Sequence, residues 1–330
     1  MADEAGTREG ADALLSVRRL TKQFMVRNGF SKQQLRAVDD VSFELRRGET
    51  LAIVGESGSG KSTLARAITR LTEPTSGEVW LGNRNLLSLS REEMRRTRKE
   101  IQLVFQDPYA SLNPRQRIAD IVAESLRIHR LAASKNVRAA EAMALLERVG
   151  LRAELGQRYP HELSGGQRQR GALARALAVS PKLIVFDEAV SALDVSIQAQ
   201  MLNLIRDLQE RLHLSFLFIT HDLSVARHVA THVAVMYLGE IVEYGEADRI
   251  FGQPQHPYTR ELLSAVPVPG ERGASASGIR RTEAANPIAP PSGCRFRARC
   301  PQALPSCAIT KPEPVHAPVG SHYWTCLVSR

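Results

Sequence analysis

Residues 50–68 read TLAIVGESGSGKSTLARAI, and this stretch decides the fold. An apolar run of strand length, residues 50–54, leads into a glycine-rich segment and then into a helix-forming sequence. Residues 55–62 satisfy the pattern G-x-x-x-x-G-K-[ST], which binds phosphates when a strand precedes it and a helix follows it. The stretch therefore predicts an α/β fold with a phosphate-binding loop at the end of a strand.

Each residue type in this loop has a task in phosphate binding. The glycines let backbone N–H groups point at phosphate oxygens, with the N-terminus of the following helix behind them. We expect Lys61 to reach the β- and γ-phosphates and Ser62 to place its hydroxyl on Mg²⁺. The predicted phosphate-site residues are Gly55, Glu56, Ser57, Gly58, Ser59, Gly60, Lys61, Ser62 and Thr63.

Two further apolar runs, residues 182–186 and 214–219, also have strand length. Between them, apolar residues recur at three- and four-residue intervals over 197–212, which predicts a helix packed on a sheet. The order strand, helix, strand indicates a mainly parallel sheet. Asp187 and Glu188 follow the first run, where ligands bind in such sheets. We expect Asp187 to hold Mg²⁺ and Glu188 to polarise the attacking water.

The remaining segments differ in pattern. From residue 108 to 160 the apolar residues follow helical spacing, which predicts an α-helical insertion. The runs 233–237 and 241–244 flank Gly239 and predict a hairpin that closes the main domain. Residues 266–293 are rich in Pro, Gly, Ala and Ser, which is typical of a linker or an extended crossing.

Composition excludes several classes of protein. With 43% hydrophobic and 24% charged residues, the 330-residue chain is globular. No apolar run approaches the roughly 18 residues that span a bilayer, and the amino terminus is acidic, so we expect a cytoplasmic chain without a signal peptide.

Over half of the net charge of +9 lies in residues 266–330, which contain eight Lys and Arg and three Glu. The basic cluster 91–99 favours a solvated helix face, so we infer no nucleic-acid binding.

Residues 163–170 read LSGGQRQR, and on this motif the chain resembles the ATP-binding subunits of ABC transporters. The resemblance implies an ABC-type P-loop NTPase domain with a RecA-like core, an antiparallel β subdomain and an α-helical subdomain at about 108–175. It also implies that Ser164, Gly165, Gly166 and Gln167 act in trans on the ATP of a second subunit. A serine before a glycine-rich helix start suits anion binding, and a simple N-cap by Ser164 is the alternative.

Other family elements follow in order. Gln106 in LVFQDP resembles the Q-loop residue that reaches Mg²⁺ and the attacking water, and residues 191–194, SALD, resemble the D-loop. His221 in FLFITHD resembles the switch histidine that contacts the γ-phosphate. Phe24 in LTKQF is the candidate for stacking on adenine, with a core or surface phenylalanine as the alternative. Ala189 stands where the family commonly has proline, a departure that leaves every chemical group in place.

Residues 106–115, QDPYASLNPR, and 256–267, HPYTRELLSAVP, resemble the ATPases of oligopeptide and dipeptide importers. This branch implies an ATP-binding domain at 14–265 and a C-terminal extension at 266–330. It implies as partners a second, non-identical ATPase, two permease subunits and, indirectly, an extracytoplasmic substrate-binding protein, with the chain peripheral on the cytoplasmic side of the membrane. Nickel, glutathione and oligosaccharide importers use similar ATPases, and a soluble ABC ATPase acting on DNA or ribosomes is a further alternative.

The four cysteines lie in the extension, at Cys294, Cys300, Cys307 and Cys326. A cytoplasmic protein leaves them as free thiols or metal ligands, and the close C-x-x-C pairs of zinc ribbons are absent. The resemblance points to a 4Fe–4S cluster, for which four thiolates are the right number. As a hypothesis, Arg295, Arg297 and Arg299 offset the charge of such a cluster. A redox-sensing module built on the cysteines is the competing interpretation.

Overall fold

The structure is a computed structural model that describes residues 13–28, 31–107, 111–265 and 290–329. Several sequence expectations lie outside these residues: the acidic amino terminus, residues 108–110 of the QDPYASLNPR stretch and most of the expected linker. The described chain divides into two compact units. Within the described ranges, the first unit draws on residues 13–16, 44–49, 80–107 and 111–217, and the second on residues 17–28, 31–43, 50–79, 218–265 and 290–329.

The described residues form twelve β-strands and nine α-helices. The strands are β1 (Ala13–Asn28), β2 (Ser31–Arg46), β3 (Thr50–Val54), β4 (Ser76–Leu81), β5 (Arg84–Asn85), β6 (Ile101–Val104), β7 (Leu183–Asp187), β8 (Ser215–Thr220), β9 (His232–Tyr237), β10 (Glu240–Glu246), β11 (Val315–His316) and β12 (Tyr323–Trp324). The α-helices are α1 (Lys61–Ile68), α2 (Arg91–Thr97), α3 (Ile118–Ile128), α4 (Lys135–Arg148), α5 (Gly165–Leu177), α6 (Val195–Leu212), α7 (Leu223–Val229), α8 (Ala247–Gly252) and α9 (Pro257–Ser264). Strands β1, β2, β4 and β8 contribute residues to both units.

The first unit combines a parallel pair of strands with a helical insertion. Strands β6 and β7 run parallel, with Ile101 opposite Leu183 and Val104 opposite Phe186, and the first residues of β8 follow β7 in the sheet order. Helix α3 packs on α4 and α5, and it buries Val122 completely. The predicted α-helical insertion and the predicted helix over 197–212 are confirmed.

The second unit holds a mixed sheet with the order β11-β12-β10-β9-β3-β8. Strands β3 and β9 are parallel, whereas β9 and β10 form the predicted antiparallel hairpin around Gly239. Strand β12 pairs antiparallel with β10, with Trp324 opposite Glu243, and β11 pairs with β12. The cysteine-bearing extension therefore adds strands to the sheet of the second unit.

Continuous burial explains why the central strands read as unbroken apolar runs. All five residues of β3 and all six of β8 are buried, as expected for strands covered on both faces. Helix α2 is the solvated helix face that the sequence predicts, because only Met94 and Thr97 of its residues are buried. Ser90 and Glu93 form a capping box at its N-terminus. None of the helices in the described ranges is long and apolar enough to cross a membrane.

A buried carboxylate joins three segments of the second unit. Glu243 on β10 is fully buried, and it accepts hydrogen bonds from the backbone N–H groups of Gln255 (2.7 Å) and His256 (3.0 Å). The ring Nε2 of His322, in the extension, lies 2.9 Å from the same carboxylate. His256 in turn caps α9, because its Nδ1 accepts from Tyr258 N at 3.1 Å. Charge-assisted bonds of this kind lock β10, α9 and the extension together.

We predict that His256 makes the fold sensitive to mild acid. Burial lowers the pKa of His256 from 6.5 to about 4. Between these values the unfolded chain takes up a proton that the folded chain refuses, so the free energy of unfolding falls as the pH falls, by about 1.4 kcal/mol per pH unit for this one group. In His256→Asn the side-chain carbonyl oxygen can still accept from Tyr258 N. Urea unfolding of this variant should show a free energy of unfolding that falls less steeply between pH 6.5 and 4, because the contribution of His256 is gone.

The matched control is His213→Asn at an exposed position with φ 52°, a conformation that asparagine adopts readily. This variant keeps the pH dependence of the unchanged protein. If His256→Asn showed the same pH dependence as the control, the folded protein would not be holding this imidazole neutral.

Candidate functional site

The phosphate loop of the second unit curls between β3 and α1 around a buried lysine. Lys61 is 3% exposed, and its Nζ donates to the carbonyl oxygens of Gly55 (2.8 Å) and Glu56 (2.7 Å). Gly60 has φ 104°, and a Cβ there would lie 2.0 Å from the carbonyl oxygen of Ala37. No other residue fits this position, because both the backbone angle and the close approach exclude a side chain.

The turn between β9 and β10 supports the loop from behind. Gly239 N donates to Ser59 O at 2.8 Å, and Asp39 N donates to Gly239 O at 2.9 Å. Backbone groups therefore fix the loop against β2 and the hairpin, independently of any ligand. The hairpin turn at Gly239 therefore belongs to the same site as the phosphate loop, although the two are far apart in the sequence.

The open side of the loop has the properties of an anion site. Ser57 and Gly58 are exposed, and Ser62 and Thr63 are half-buried in the first turn of α1. The N-cap of α1 is Gly60, so no side chain caps the first N–H groups of this helix. Uncapped N–H groups at a helix start attract anions, and phosphate is the anion that this loop pattern binds.

Two other sequence-predicted residues belong to the second unit. His221 follows β8 directly and is exposed. Phe24 lies on β1 with 36% of its surface exposed, and Lys22 Nζ lies 4.8 Å from the centroid of its ring. Phe24 is therefore not a core residue, which leaves an adenine platform or an ordinary surface position.

The first unit holds the acidic pair. Asp187 ends β7 and is 4% exposed, and Glu188 follows it in the left-handed conformation with φ 51°. This conformation costs a residue with a side chain about 1–2 kcal/mol, so the surrounding contacts must hold it. Ser191 supplies them: its backbone N (3.1 Å) and its Oγ (2.8 Å) both donate to Glu188 O.

Gln106 joins this arrangement through the same serine. Its Nε2 lies 3.4 Å from Ser191 Oγ, so the structure brings Gln106 and Glu188 to one place within the first unit. Ala189, which stands where the family commonly has proline, is 3% exposed inside the turn that Ser191 closes. The hydrogen bonds of Ser191 thus hold the backbone after Glu188 without a proline.

The LSGGQ motif of the first unit forms the start of α5. Ser164 is the N-cap: its Oγ accepts from Gln167 N (3.3 Å), while Gln167 Oε1 accepts from Ser164 N (3.0 Å). A Cβ on Gly166 would lie 2.5 Å from Cγ2 of Ile197, so α6 can pack here only against a glycine. The capping role weighed for Ser164 is therefore real, and it presents the helix N-terminus that an anion-binding role also needs.

The cysteines of the second unit are neighbours. Cys294 N donates to Cys307 O at 2.9 Å. Burial raises the pKa of Cys294 to about 11, and the nearby thiols of Cys307, Cys326 and Cys300 add to this rise. Within the described ranges, no group of three or more His, Cys, Asp or Glu side chains is arranged to hold a single metal ion. The four free cysteines equal in number the thiolates of a four-thiolate group.

Two of the three arginines near the cysteines have partners that the sequence did not reveal. Arg295, 9% exposed, pairs with Asp39 and Glu240 and donates to Leu238 O. Arg299 pairs with Glu56 and Glu261. The expectation that these arginines offset a cluster's charge needs correction for both, because carboxylates already neutralise them.

Sequence reasoning also missed a contact to the loop. Tyr258, in the HPY stretch, accepts a hydrogen bond on its hydroxyl from Glu56 N at 3.0 Å. The partners lie 202 residues apart, and Arg299 lies 243 residues from Glu56. A single sequence carries no signal for pairs so distant.

Two known protein families match parts of this chain. Residues 38–191 match the ABC transporter family, and residues 242–307 match the family described as oligopeptide/dipeptide transporter, C-terminal region. The second match spans α9 and three of the four cysteines.

Curated relatives match along nearly the whole chain. The di/tripeptide transport ATP-binding protein DppF of Pseudomonas aeruginosa is 50% identical over 304 residues, which cover 92% of this chain and 94% of the relative. A putative peptide import ATP-binding protein of Brucella ovis is 48% identical over 95% of this chain and 97% of its own length.

Solved structures show the same fold. The ATP-binding cassette MJ0796, in a dimeric post-hydrolysis state bound to ADP and phosphate, superposes with a TM-score of 0.63 at 29% identity and covers 71% of this chain and 98% of its own. CbiO1 from Clostridium perfringens, part of an ABC transporter complex, gives 0.63 at 26% identity over 73% of this chain and 92% of its own. This chain therefore belongs to the ATP-binding proteins of ABC transporters, in the branch with the oligopeptide/dipeptide transporter C-terminal region.

Proposed function

We propose that this chain hydrolyses ATP to power peptide import through an ABC transporter. The observation that carries the proposal is the phosphate loop with its buried Lys61, in a chain 48–50% identical to peptide import and di/tripeptide transport ATP-binding proteins. The family is one of ATPases, and the loop geometry supplies the phosphate site that such an activity needs.

The adenine ring, the phosphates and Mg²⁺ are each bound by different residues in this proposal. Phe24 stacks on adenine, and the loop N–H groups with Lys61 and Thr63 bind the phosphates. Ser62, Asp187 and Gln106 would hold Mg²⁺, which neutralises charge on the phosphates when it is bound. The full proposed ATP-binding set is Phe24, Gly55, Glu56, Ser57, Gly58, Ser59, Gly60, Lys61, Ser62, Thr63 and Asp187.

Three further residues act on the reaction itself. Glu188 accepts a proton from the attacking water, and Gln106 orients that water. The rigid turn at Ser191 supports this role, because it fixes both residues in one unit. His221 contacts the γ-phosphate, and its exposure directly after β8 leaves the ring accessible.

The signature motif is proposed to serve the ATP of a second subunit. In this scheme residues 14–265 form the ATP-binding domain, with the helical subdomain at about 108–175, and residues 266–330 form the extension. Ser164, Gly165, Gly166 and Gln167 present the start of α5 to the partner's γ-phosphate. Closure of the ATP-binding domains of the two subunits over ATP drives the permease, and hydrolysis resets the pair.

The proposed partners are a second, non-identical ATPase and two permease subunits, with a substrate-binding protein acting indirectly. The chain then sits peripherally on the cytoplasmic side of the membrane. Co-purification with two membrane permeases supports this assembly, whereas recovery with DNA or ribosomes and without permeases contradicts it.

We further propose that Cys294, Cys300, Cys307 and Cys326 hold a 4Fe–4S cluster. Four thiols in one segment give the required number of ligands. The thiols of Cys300, Cys307 and Cys326 contribute to raising the pKa of Cys294, which supports a common site.

Replacing the proposed general base tests the catalytic assignment. In Glu188→Gln we expect ATP turnover by the assembled transporter to fall by at least about a hundredfold, since the proton acceptor is lost. ATP affinity should be retained, so that the ATP-bound dimer accumulates. The exposed Glu210→Gln on α6 is the control and should turn over ATP normally. Wild-type turnover in Glu188→Gln would remove Glu188 from this role.

Metal analysis tests the cluster. We expect protein purified without oxygen to contain about four irons and four sulfides per chain and to absorb visible light. Cys294→Ser should lose most of this iron, because the thiolate ligand is gone. Stoichiometric zinc without iron, or a colourless metal-free protein, would contradict the cluster.

A further inference from the structure

We propose that Arg299 of the C-terminal extension and Tyr258 of α9 position the phosphate loop by acting on Glu56, and thereby raise the affinity of this chain for ATP. The inference rests on the proposed ATP-binding role of residues 55–63. It adds that two residues outside the motif hold that loop in its binding conformation.

Glu56 is the point at which the supports meet the loop. Its backbone N–H donates to Tyr258 Oη (3.0 Å), and its carbonyl oxygen accepts from Lys61 Nζ (2.7 Å). Its carboxylate forms two parallel bonds with Arg299, each of 2.7 Å. One residue therefore links the phosphate-binding lysine to both supports.

The Arg299 side chain is held more firmly than an ordinary surface ion pair. It is 11% exposed, and it also pairs with Glu261, which is 15% exposed. Its guanidinium lies 5.7–5.9 Å from the ring centroids of Tyr237, Tyr258 and Phe296. The paired carboxylates raise the pKa of Arg299, and the aromatic rings exclude water from it. The Glu56 carboxylate is 41% exposed, but its paired bonds to an enclosed guanidinium are stronger than a single exposed ion pair.

The Tyr258 hydroxyl is the second support, and it is equally enclosed. Tyr258 is fully buried, with its ring 4.6 Å from that of Tyr237 and 5.4 Å from that of Phe296. Its position follows from the HPY stretch, since His256 caps α9 and Pro257 begins it. Without the hydroxyl, the half-buried Glu56 N–H would lose this acceptor, which is costly.

Arg299 lies on a short turn between two of the cysteines. The turn 295–299 connects Cys294 with Cys300, and Arg299 N and Cys300 N both donate to Phe296 O at 3.0 Å. At the other end of the turn, Arg295 is anchored by Asp39 and Glu240. Any group that fixes the two cysteines therefore fixes the arginine that holds the loop.

Positioning of this kind acts on affinity. A loop that is already ordered loses less conformational freedom when a ligand binds, so the ligand binds more tightly. If Glu56 lost its supports, ATP binding would have to order the segment that carries both carbonyl contacts of Lys61, those of Gly55 and Glu56.

The test measures equilibrium binding of a fluorescent ATP analogue with Mg²⁺ to the full-length chain. For Arg299→Met and for Tyr258→Phe we expect the Kd to rise by about five- to twentyfold. The control is Arg260→Met on α9. It also removes one positive charge, but the guanidinium of Arg260 donates to Pro254 O rather than to Glu56. It should bind like the unchanged protein. Thermal unfolding without nucleotide verifies the fold, and Tyr258→Phe, which loses one oxygen atom, serves if Arg299→Met does not fold.

A double variant separates positioning from simple attraction of ATP by a positive charge. If Arg299 acts through Glu56, the double variant with Arg299→Met and Glu56→Gln has the same Kd for the ATP analogue as whichever single variant has the higher Kd. Multiplied effects would instead show that the two residues act independently, which overturns the inference. Arg299→Lys keeps the charge but not the paired bonds, so we expect only partial recovery.

Lys61→Ala distinguishes failure of this inference from failure of the proposed function. Loss of binding in Lys61→Ala together with normal binding in Arg299→Met and Tyr258→Phe overturns the inference alone. Full binding in Lys61→Ala overturns the phosphate site and the inference with it. The iron content of Arg299→Met should equal that of the unchanged protein, which separates loss of the support from loss of the cluster.

Discussion

The second unit depends on close backbone packing behind the phosphate loop. Ser59 accepts from Gly239, Gly239 accepts from Asp39, and Gly60 lies so near Ala37 that no side chain fits between them. These contacts use peptide groups that every sequence has, so their specificity comes from shape: only glycine lets three chain segments approach so closely. Once the segments are fixed, the Lys61 side chain lies inside the loop and donates to the carbonyl oxygens of Gly55 and Glu56.

The extension is part of the architecture of this unit rather than a decoration. Strand β12 continues the sheet beyond β10, and His322 shares the buried carboxylate of Glu243 with the start of α9. The same segment delivers Arg295 to the hairpin turn and Arg299 to the loop. A basic excess that the composition places in residues 266–330 thus has structural partners, because these guanidinium groups meet carboxylates of the ATP-binding portion.

Local pattern predicted the elements that bury one face or both. The runs at β3, β7 and β8, the helix α6 and the Gly239 hairpin all followed from periodicity and turn chemistry. The long strands β1 and β2 did not, since half-exposed strands with many polar residues give a weaker signal. Candidate residues of the site were found because loop motifs are contiguous. Their supports were not found, because Tyr258 and Arg299 act on Glu56 across most of the chain, and a single sequence records no pairing at that distance.

The separation between Glu56 and Arg299 also orders events in time. The loop leaves the ribosome 243 residues before its arginine partner. At synthesis rates of about 5–20 residues per second, the loop waits about 12–50 s for that contact. During this interval the nascent chain carries the whole motif without the Arg299–Glu56 contact, so the contacts of the phosphate loop are completed late, although its residues are among the first to be made.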